Sequence, residues 1–278
     1  MKSAINVWAF PSDWPMEGIL TLAKDAGFAA IELDYGPGRP LHAQSTEEEA
    51  RALRQHCLDA GLAVCSLASG VFWRVNLLSD QDDERARAKA HVRHMLRLGA
   101  ALEVDTLLIV PGFVGPFEAG APVVADYKVA YHRALIDFRE LAVDAEKVRV
   151  VLGIETVWNK FLTSPLEMRA FVDAVDSPYV GVYLDVGNVL RTGYPEHWIR
   201  ILGSHIRKVH LKDFKVNVGN LGGFVDLLRG DVDFRAVMAA LRDVGYDDYL
   251  VVEMFTKADL AEHCIRQAAQ DAWYILSL

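Results

Sequence analysis

Val150-Val-Leu-Gly-Ile-Glu155 is a short, almost wholly apolar run that ends on a carboxylate. An apolar stretch without polar alternation reads as a strand buried on both faces, as in a parallel sheet covered by helices. Working outward, the same pattern returns in Val180-Gly-Val-Tyr-Leu-Asp185, in Arg207-Lys-Val-His-Leu211 and in Tyr249-Leu-Val-Val-Glu-Met254. Three carboxylates and one imidazole thus sit at the ends of four successive strand-like runs. Each would be costly to bury alone, but gathered around one divalent cation they offset each other's cost.

The whole chain follows this rhythm. Strands are predicted over Ile5–Ala9, Ala30–Leu33, Ala63–Leu67, Thr106–Val110, Val148–Glu155, Val180–Asp185, Lys208–Leu211 and Tyr249–Met254. Amphipathic helical patterns lie between them. Met16–Ala26 stops at Gly27, a natural C-cap. Ser45-Thr-Glu-Glu-Glu49 opens a helix to Ala60, its acids suited to the positive end of the dipole. Gln81–Leu98 is predicted to stop at Gly99, and Asp126–Glu146 is long and amphipathic. Ser164-Pro165 reads as an N-cap followed by proline at the first helical position. Pro195–His205, Val232–Val244 and Ala258–Ile275 complete the set.

Eight βα units in 278 residues fit an α/β fold of the closed (β/α)8 TIM-barrel type, for which ~250 residues is typical. A doubly wound open sheet is the rival, but its glycine-rich turn is missing after the first strand, where Trp8-Ala-Phe-Pro11 stands. Only a closed ring brings the ends of strands five to eight to one point. No linker interrupts the chain, so residues 1–278 are expected to form one barrel domain.

Composition narrows the function. Hydrophobic residues make up 52% of the chain, enough for a sizeable core, and the formal net charge is −9, which disfavours nucleic acid. Cys57, Cys65 and Cys264 are scattered, so free thiols in a reducing cytoplasm are expected. Neither a signal-peptide pattern nor a membrane-length apolar run is present.

Each site residue has an ordinary alternative: an exposed loop acid for Glu155, a turn-former for Asp185, a hydrogen-bonded core histidine for His210. Glu253, after Leu250-Val-Val252, is hard to explain by packing. All four at strand ends of consecutive units place them on the rim where barrel active sites lie. Oxygen-rich ligands with one nitrogen suit Mn²⁺ first, with Mg²⁺ or Co²⁺ close behind and Zn²⁺ admitted.

Gly153-Ile-Glu155, Tyr183-Leu-Asp-Val-Gly-Asn188, Val209-His-Leu-Lys-Asp213, Gly230-Asp-Val-Asp-Phe234 and Val252-Glu-Met254 together resemble the xylose-isomerase-like superfamily of sugar and sugar-phosphate isomerases and epimerases. Within it the chain looks most like ketose 3-epimerases of the L-ribulose-5-phosphate and tagatose groups. The resemblance implies a TIM barrel, one divalent ion held by Glu155, Asp185, His210 and Glu253, and an acid–base role for Glu155 and Glu253. One carboxylate would remove the C3 proton of a ketose to give a cis-enediolate, and the other would return a proton to the opposite face. Two features depart from the family pattern. Asn188 stands where the tagatose group has a histidine, which favours the sugar-phosphate group. Leu228-Arg229-Gly230 replaces a Gly-Glu-Gly run, so a cation stands where an acid is usual.

Further contacts are expected from Trp8 and Phe10 as an apolar wall, with core packing as their equal alternative, and from Trp158, Asn159 and Asn188 near the substrate. Glu32 is read as a hydrogen-bond partner of substrate or of another site group, or as a structural ion pair. Arg229 would meet a phosphate or solvent, and Lys212 would pair with Glu155 or Asp213. Residues 217–224, rich in Gly and Asn, are expected to cover the pocket. Trp198 and Trp273 are read as exposed, and a homo-oligomer, dimer or tetramer, is expected from the relatives. The substrate is thus a small sugar or sugar phosphate. Alternatives on the same metal site are aldose–ketose isomerisation and dehydration of a keto-inositol. A multi-zinc hydrolase lacks its histidines on the early strands, and a non-catalytic sugar-binding barrel would not need both glutamates.

Overall fold

The computed structural model describes residues 1–115, 124–256 and 258–278 of the chain. Its strands are β1 (Lys2–Asn6), β2 (Ala30–Asp34), β3 (Ala63–Ala68), β4 (Thr106–Ile109), β5 (Val151–Glu155), β6 (Val180–Asp185), β7 (Ile206–Leu211), β8 (Asp213–Phe214), β9 (Phe224–Val225) and β10 (Tyr249–Val252). Eight of them close a parallel barrel in the ring order β1-β10-β7-β6-β5-β4-β3-β2, while β8 and β9 pair antiparallel beside it. The ring leaves no sheet edge, so the open-sheet rival falls away.

The helices are α1 (Met16–Ala26), α2 (Glu47–Asp59), α3 (Asp82–Ala101), α4 (Tyr127–Val148), α5 (Pro165–Val175), α6 (Val186–Val189), α7 (Pro195–Leu202), α8 (Phe234–Asp243) and α9 (Ala261–Ser277). Their signals behave as the local chemistry dictates. Gly27 closes α1 at φ 102°. Thr46 and Glu49 form a reciprocal capping box on α2, and Ser164 with Pro165 opens α5.

Several boundaries differ from expectation, and three of the differences have a plain cause. The first strand ends at Asn6, whose side chain caps the turn Val7–Ala9 by accepting from the Trp8 amide. The fifth begins at Val151, because α4 runs on to Val148 and Arg149 caps it in a left-handed conformation, φ 58°. Helix α3 continues through Gly99 instead of stopping there. A Cβ at Gly99 would lie 2.8 Å from Leu107 Cδ2, so this glycine lets the helix approach β4 and does not end it.

Strand alternation explains which side chains face inward. Leu152 and Ile154, Val182 and Leu184, Val209 and Leu211, and Leu250 and Val252 join the main hydrophobic core. The alternate positions, occupied by Glu155, Tyr183, Asp185, Lys208, His210 and Glu253, point into the ring. Ala4, Ala30, Cys65 and Val251 form a small separate apolar cluster. Two register shifts, at Ile31/Glu32 against β3 and at Val182/Tyr183 against β7, sit beside inward polar residues.

Candidate metal and active site

Glu155, Asp185, His210 and Glu253 are all buried, and one ligand atom from each lies within 4.8 Å of the others. Among the described residues this is the only such group of acids, histidines and cysteines. Register brings them together: Asp185 pairs with His210 across β6 and β7, and His210 faces Val251, two residues before Glu253.

Asp185 serves two purposes. It is the N-cap of α6, its Oδ1 accepting from the Asn188 amide at 2.7 Å. Its Oδ2 has no hydrogen-bond partner. The turn-former reading of this aspartate is met by one oxygen, which leaves the other to the cluster.

His210 is held from behind. Its Nε2 lies 3.1 and 3.2 Å from the two oxygens of Glu32. That contact directs Nε2–H at the carboxylate and leaves Nδ1 for the site, the arrangement by which a carboxylate orients a metal-binding imidazole. Nδ1 lies 2.9 Å from Glu253 Oε2, yet neither atom finds the angle of a hydrogen bond. Two lone-pair atoms this close and out of line with each other converge on a common centre. No protein donor meets the Glu155 carboxylate among the described residues. Buried oxygen and nitrogen atoms left unpartnered around one point fit a divalent cation.

Glu32 is fully buried. Besides His210, its carboxylate accepts from Asn6 Nδ2 at 2.6 Å, from Ser66 Oγ at 2.8 Å and from the Tyr183 hydroxyl. Burial opposes its charge, but His210 and these hydrogen bonds outweigh burial and hold its pKa below the ordinary range. Of the roles expected for Glu32, the structure gives it the partnership with another site group. With its oxygens occupied and no exposure, it is not placed to touch a substrate.

Lys212 also departs from expectation. Its Nζ donates to Glu253 Oε1 at 2.7 Å and lies 3.7 Å from Asp185 Oδ2, where pairing with Glu155 or Asp213 was expected. Asp213 instead accepts from the amides of Phe214, Gly230 and Val232 and ties down the following loop.

These contacts split the two glutamates. Burial, then the Glu253 charge, pushes Glu155 up to about 8. Burial acts on Glu253 too, but Lys212 and His210 overcome it and hold its carboxyl well below the usual range. Burial also raises Asp185 to about 6, against the pull of Lys212. His210 is raised despite burial, by Glu32 and Glu253.

A cavity of about 460 Å³ opens above this cluster. Glu155, Glu253 and Lys212 contribute charge to it, and Trp8, Trp158 and Asn188 are among its lining residues. Trp8 Nε1 donates to Asp34 Oδ2 at 2.8 Å, and Trp158 Nε1 donates to the Asn188 carbonyl at 2.8 Å. Leu221 and Phe224 bring the 217–224 segment over the cavity. Arg229 does not line this cavity but an adjoining pocket that shares Lys212 and Glu253. Asn159 and Phe10 are buried, and Asn159 donates to the Gly112 carbonyl and accepts from the Phe161 amide. Phe10 thus takes its core-packing alternative, and the substrate contact expected of Asn159 is corrected. Trp198, expected on the surface, is buried at 2% exposure, whereas Trp273 is exposed.

The sequence reading missed Trp73, Phe113 and Phe255, which wall the cavity, and the cage of Asn6, Ser66 and Tyr183 around Glu32. Tyr183 carried a usable signal, since it shares inward parity with Asp185 two residues later.

Residues 20–273 match the family described as the xylose isomerase-like TIM barrel. The chain belongs to this family. Among curated relatives, a putative L-ribulose-5-phosphate 3-epimerase of Haemophilus influenzae is 25% identical over 262 residues, covering 92% of this chain and 89% of the relative. A 3-oxo-isoapionate decarboxylase of Pectobacterium atrosepticum is 35% identical over 206 residues, covering 73% of this chain and 62% of the relative. Among solved structures, the D-psicose 3-epimerase of Clostridium cellulolyticum H10 with D-tagatose superposes with a TM-score of 0.83 at 20% identity, covering 99% of both chains. That likeness bears on the fold. Other curated relatives are named as epimerases, which are isomerases. No helix of the described residues is long and apolar enough to cross a membrane.

Proposed function

We propose that the chain is a divalent-metal-dependent ketose 3-epimerase, acting on a ketose or ketose phosphate. The carrying observation is the convergence of Glu155, Asp185, His210 and Glu253 on one buried point, with two glutamates of opposed proton affinity among them. These four residues would hold the ion, with Mn²⁺ the expected metal and Mg²⁺, Co²⁺ or Zn²⁺ able to replace it. A bound cation would supply Lewis-acid polarisation of the substrate's carbonyl.

The chain's own residues account for the proton traffic. One of Glu253 and Glu155 would take the C3 proton, the C–H electron pair becoming the C2–C3 double bond of a cis-enediolate, and the substrate's C3 configuration decides which. The other, on another side of the ring, would hold the proton that returns to C3. In the ring, β5 and β10 stand three positions apart, so the two carboxylates approach from different sides. That separation supports inversion over simple exchange. A substrate of the opposite C3 configuration reverses the roles. Trp8 and Trp158 offer apolar faces to the sugar, Asn188 and Lys212 polar contacts, and Arg229 a cation in the pocket next door.

The test is a screen of five- and six-carbon ketoses and their phosphates with added Mn²⁺ in deuterated water, with a chelator control. Deuterium at C3 with inversion supports the proposal. Label at C1 or C2 would replace it with aldose–ketose isomerisation, and no exchange with any ketose would reject it.

The 35% identity to a decarboxylase favours one second reading on the same residues. Loss of CO2 from a 3-oxo acid delivers the C–C bond's electrons into the same kind of enediolate, which then needs only one acid to protonate carbon. Release of CO2 from a 3-oxo sugar acid, with no exchange at C3 of ketoses, would select it.

A further inference from the structure

The acid and imidazole cluster draws on one half of the ring, whereas the cavity above it draws on both. Glu155, Asp185, His210 and Glu253 stand at the ends of β5, β6, β7 and β10, which are consecutive neighbours in the barrel. None of the four comes from β1 to β4, yet the segments that follow β1, β3 and β4 reach the same cavity through Trp8, Trp73 and Phe113. A ligand that fills the cavity therefore meets charged side chains on one side and aromatic rings on the other.

The aromatic side is held in place. Trp73 and Phe113 come from different loops and stack with ring centroids 5.8 Å apart and planes 21° apart. Stacking steadies the indole without covering it, for Trp73 is still 41% exposed. From the other half of the ring, Phe255 lines the same cavity and is 66% exposed. Large rings left uncovered around a pocket mark it for a ligand with apolar surface of its own.

A bare ketose makes poor use of such walls, since nearly every carbon carries an oxygen. It also leaves room. Even at about 30 Å³ for each heavy atom, a water molecule's share of the liquid, a ketohexose with its twelve heavy atoms fills roughly 360 Å³. Bonded atoms sit closer together than neighbouring waters, so the true figure is smaller. The cavity holds about 460 Å³.

We propose that the substrate is a ketose carrying a second ring, glycosyl or aryl, at the end remote from C2 and C3, and that Trp73 and Phe113 form the platform for that ring. Both kinds of ring offer a flat face of C–H or π surface to an aromatic side chain. The ketose half of the proposal rests on the epimerase reading; the platform does not.

The test compares three ketoses on the Mn²⁺-loaded protein: fructose, fructose with a glucosyl group on O6 (isomaltulose), and fructose with a benzyl ether on O6. At least one ringed ketose should exceed fructose in kcat/KM by about tenfold, the worth of one good aromatic contact, chiefly through a lower KM. Trp73→Ala and Phe113→Ala should each remove most of this advantage, and Trp73→Phe, which keeps a flat ring, should retain part of it. The advantage is a ratio of two substrates in the same variant, so general damage to the fold or to metal binding cancels. An advantage for isomaltulose alone assigns a glycosyl ring, and one for the ether alone an aryl ring. If neither ringed ketose surpasses fructose, or if the advantage survives both alanine variants, the platform is overturned and the epimerase reading stands.

Saturation-transfer NMR with the same three ligands reads the platform without turnover. Transfer from the protein to the glucosyl or benzyl protons should fall several-fold in Trp73→Ala relative to transfer to the fructose protons. That result in a protein that turns over no ketose would sink the epimerase reading and leave the platform in place. Ring protons that receive no transfer in the parent protein would overturn the platform whatever the kinetics.

Discussion

Replacing Glu155 or Glu253 by glutamine keeps the shape of the site and removes one proton carrier. Each change should lower turnover by roughly 100- to 10,000-fold, and deuterium exchange at C3 should fall with it. Unchanged turnover in either variant would remove that residue from the reaction. Proton affinity gives a second prediction. Glu155 is pushed up to about 8 and Asp185 to about 6, so below about pH 8 an incoming cation must displace the Glu155 proton. Mn²⁺ affinity should therefore rise with pH, by about tenfold per unit for one displaced proton. The rise should be steeper below about 6 and continue past 8, where His210, raised well above its ordinary value, still gives up a proton to the cation. Titrations that are flat between pH 6 and 8 would contradict the raised Glu155. Behind His210, Glu32→Gln removes the charge that orients the ring and should weaken Mn²⁺ binding about 10- to 100-fold with the fold intact. The four residues of the cluster were legible in the sequence because each breaks an apolar run, and a charge there has no packing explanation. Glu32 and Lys212 were misplaced for the converse reason: their partners come from strands far away in sequence, and no local pattern names them.

At the scale of elements, the turn after β6 is held by close approach. A Cβ on Gly187 would lie 2.9 Å from the backbone carbon and oxygen of Lys212. Neither atom can yield without moving the chain that carries His210 and Lys212. Gly187→Ala should therefore cost metal affinity more than it costs helix or sheet content, measured by Mn²⁺ titration beside circular dichroism. An affinity equal to that of the parent would show that the two loops have room to part. Helices and barrel strands were readable because caps and apolar runs are local. Thr46, Ser164 and Gly27 act where their types predict, while Gly99 misled because a glycine that ends a helix and one that admits a neighbour look alike in sequence. The pair β8 and β9 left no signal. Two-residue strands have no period, and they form because Asp213 gathers the amides of Phe214, Gly230 and Val232.

Across the whole molecule, the barrel separates chemistry at one end from anchoring at the other. Lys208 and His210 lie two residues apart on β7 and both face inward, but they serve opposite ends. Lys208 is 1% exposed, and its Nζ meets Asp105 at 2.9 Å and Asp248 at 2.6 Å, tying the residue before β4 to the residue before β10. Both carboxylates keep contact with solvent, Asp105 more than Asp248, so removing the amine does not strand a fully buried charge. Burial disfavours the ammonium, yet the two aspartates outweigh it and raise its pKa, so the ion pair persists throughout the neutral range. Lys208→Met keeps the aliphatic stem in the barrel and deletes the charge. A cost of about 1–3 kcal/mol is expected, below that of breaking a wholly buried pair, and it should appear as a lower Tm. Because the rim cluster is built from the other ends of the strands, Mn²⁺ affinity and KM should stay at the parent values in the variant. A loss of metal binding in step with the loss of Tm would mean that the two ends of the barrel are mechanically coupled through β7.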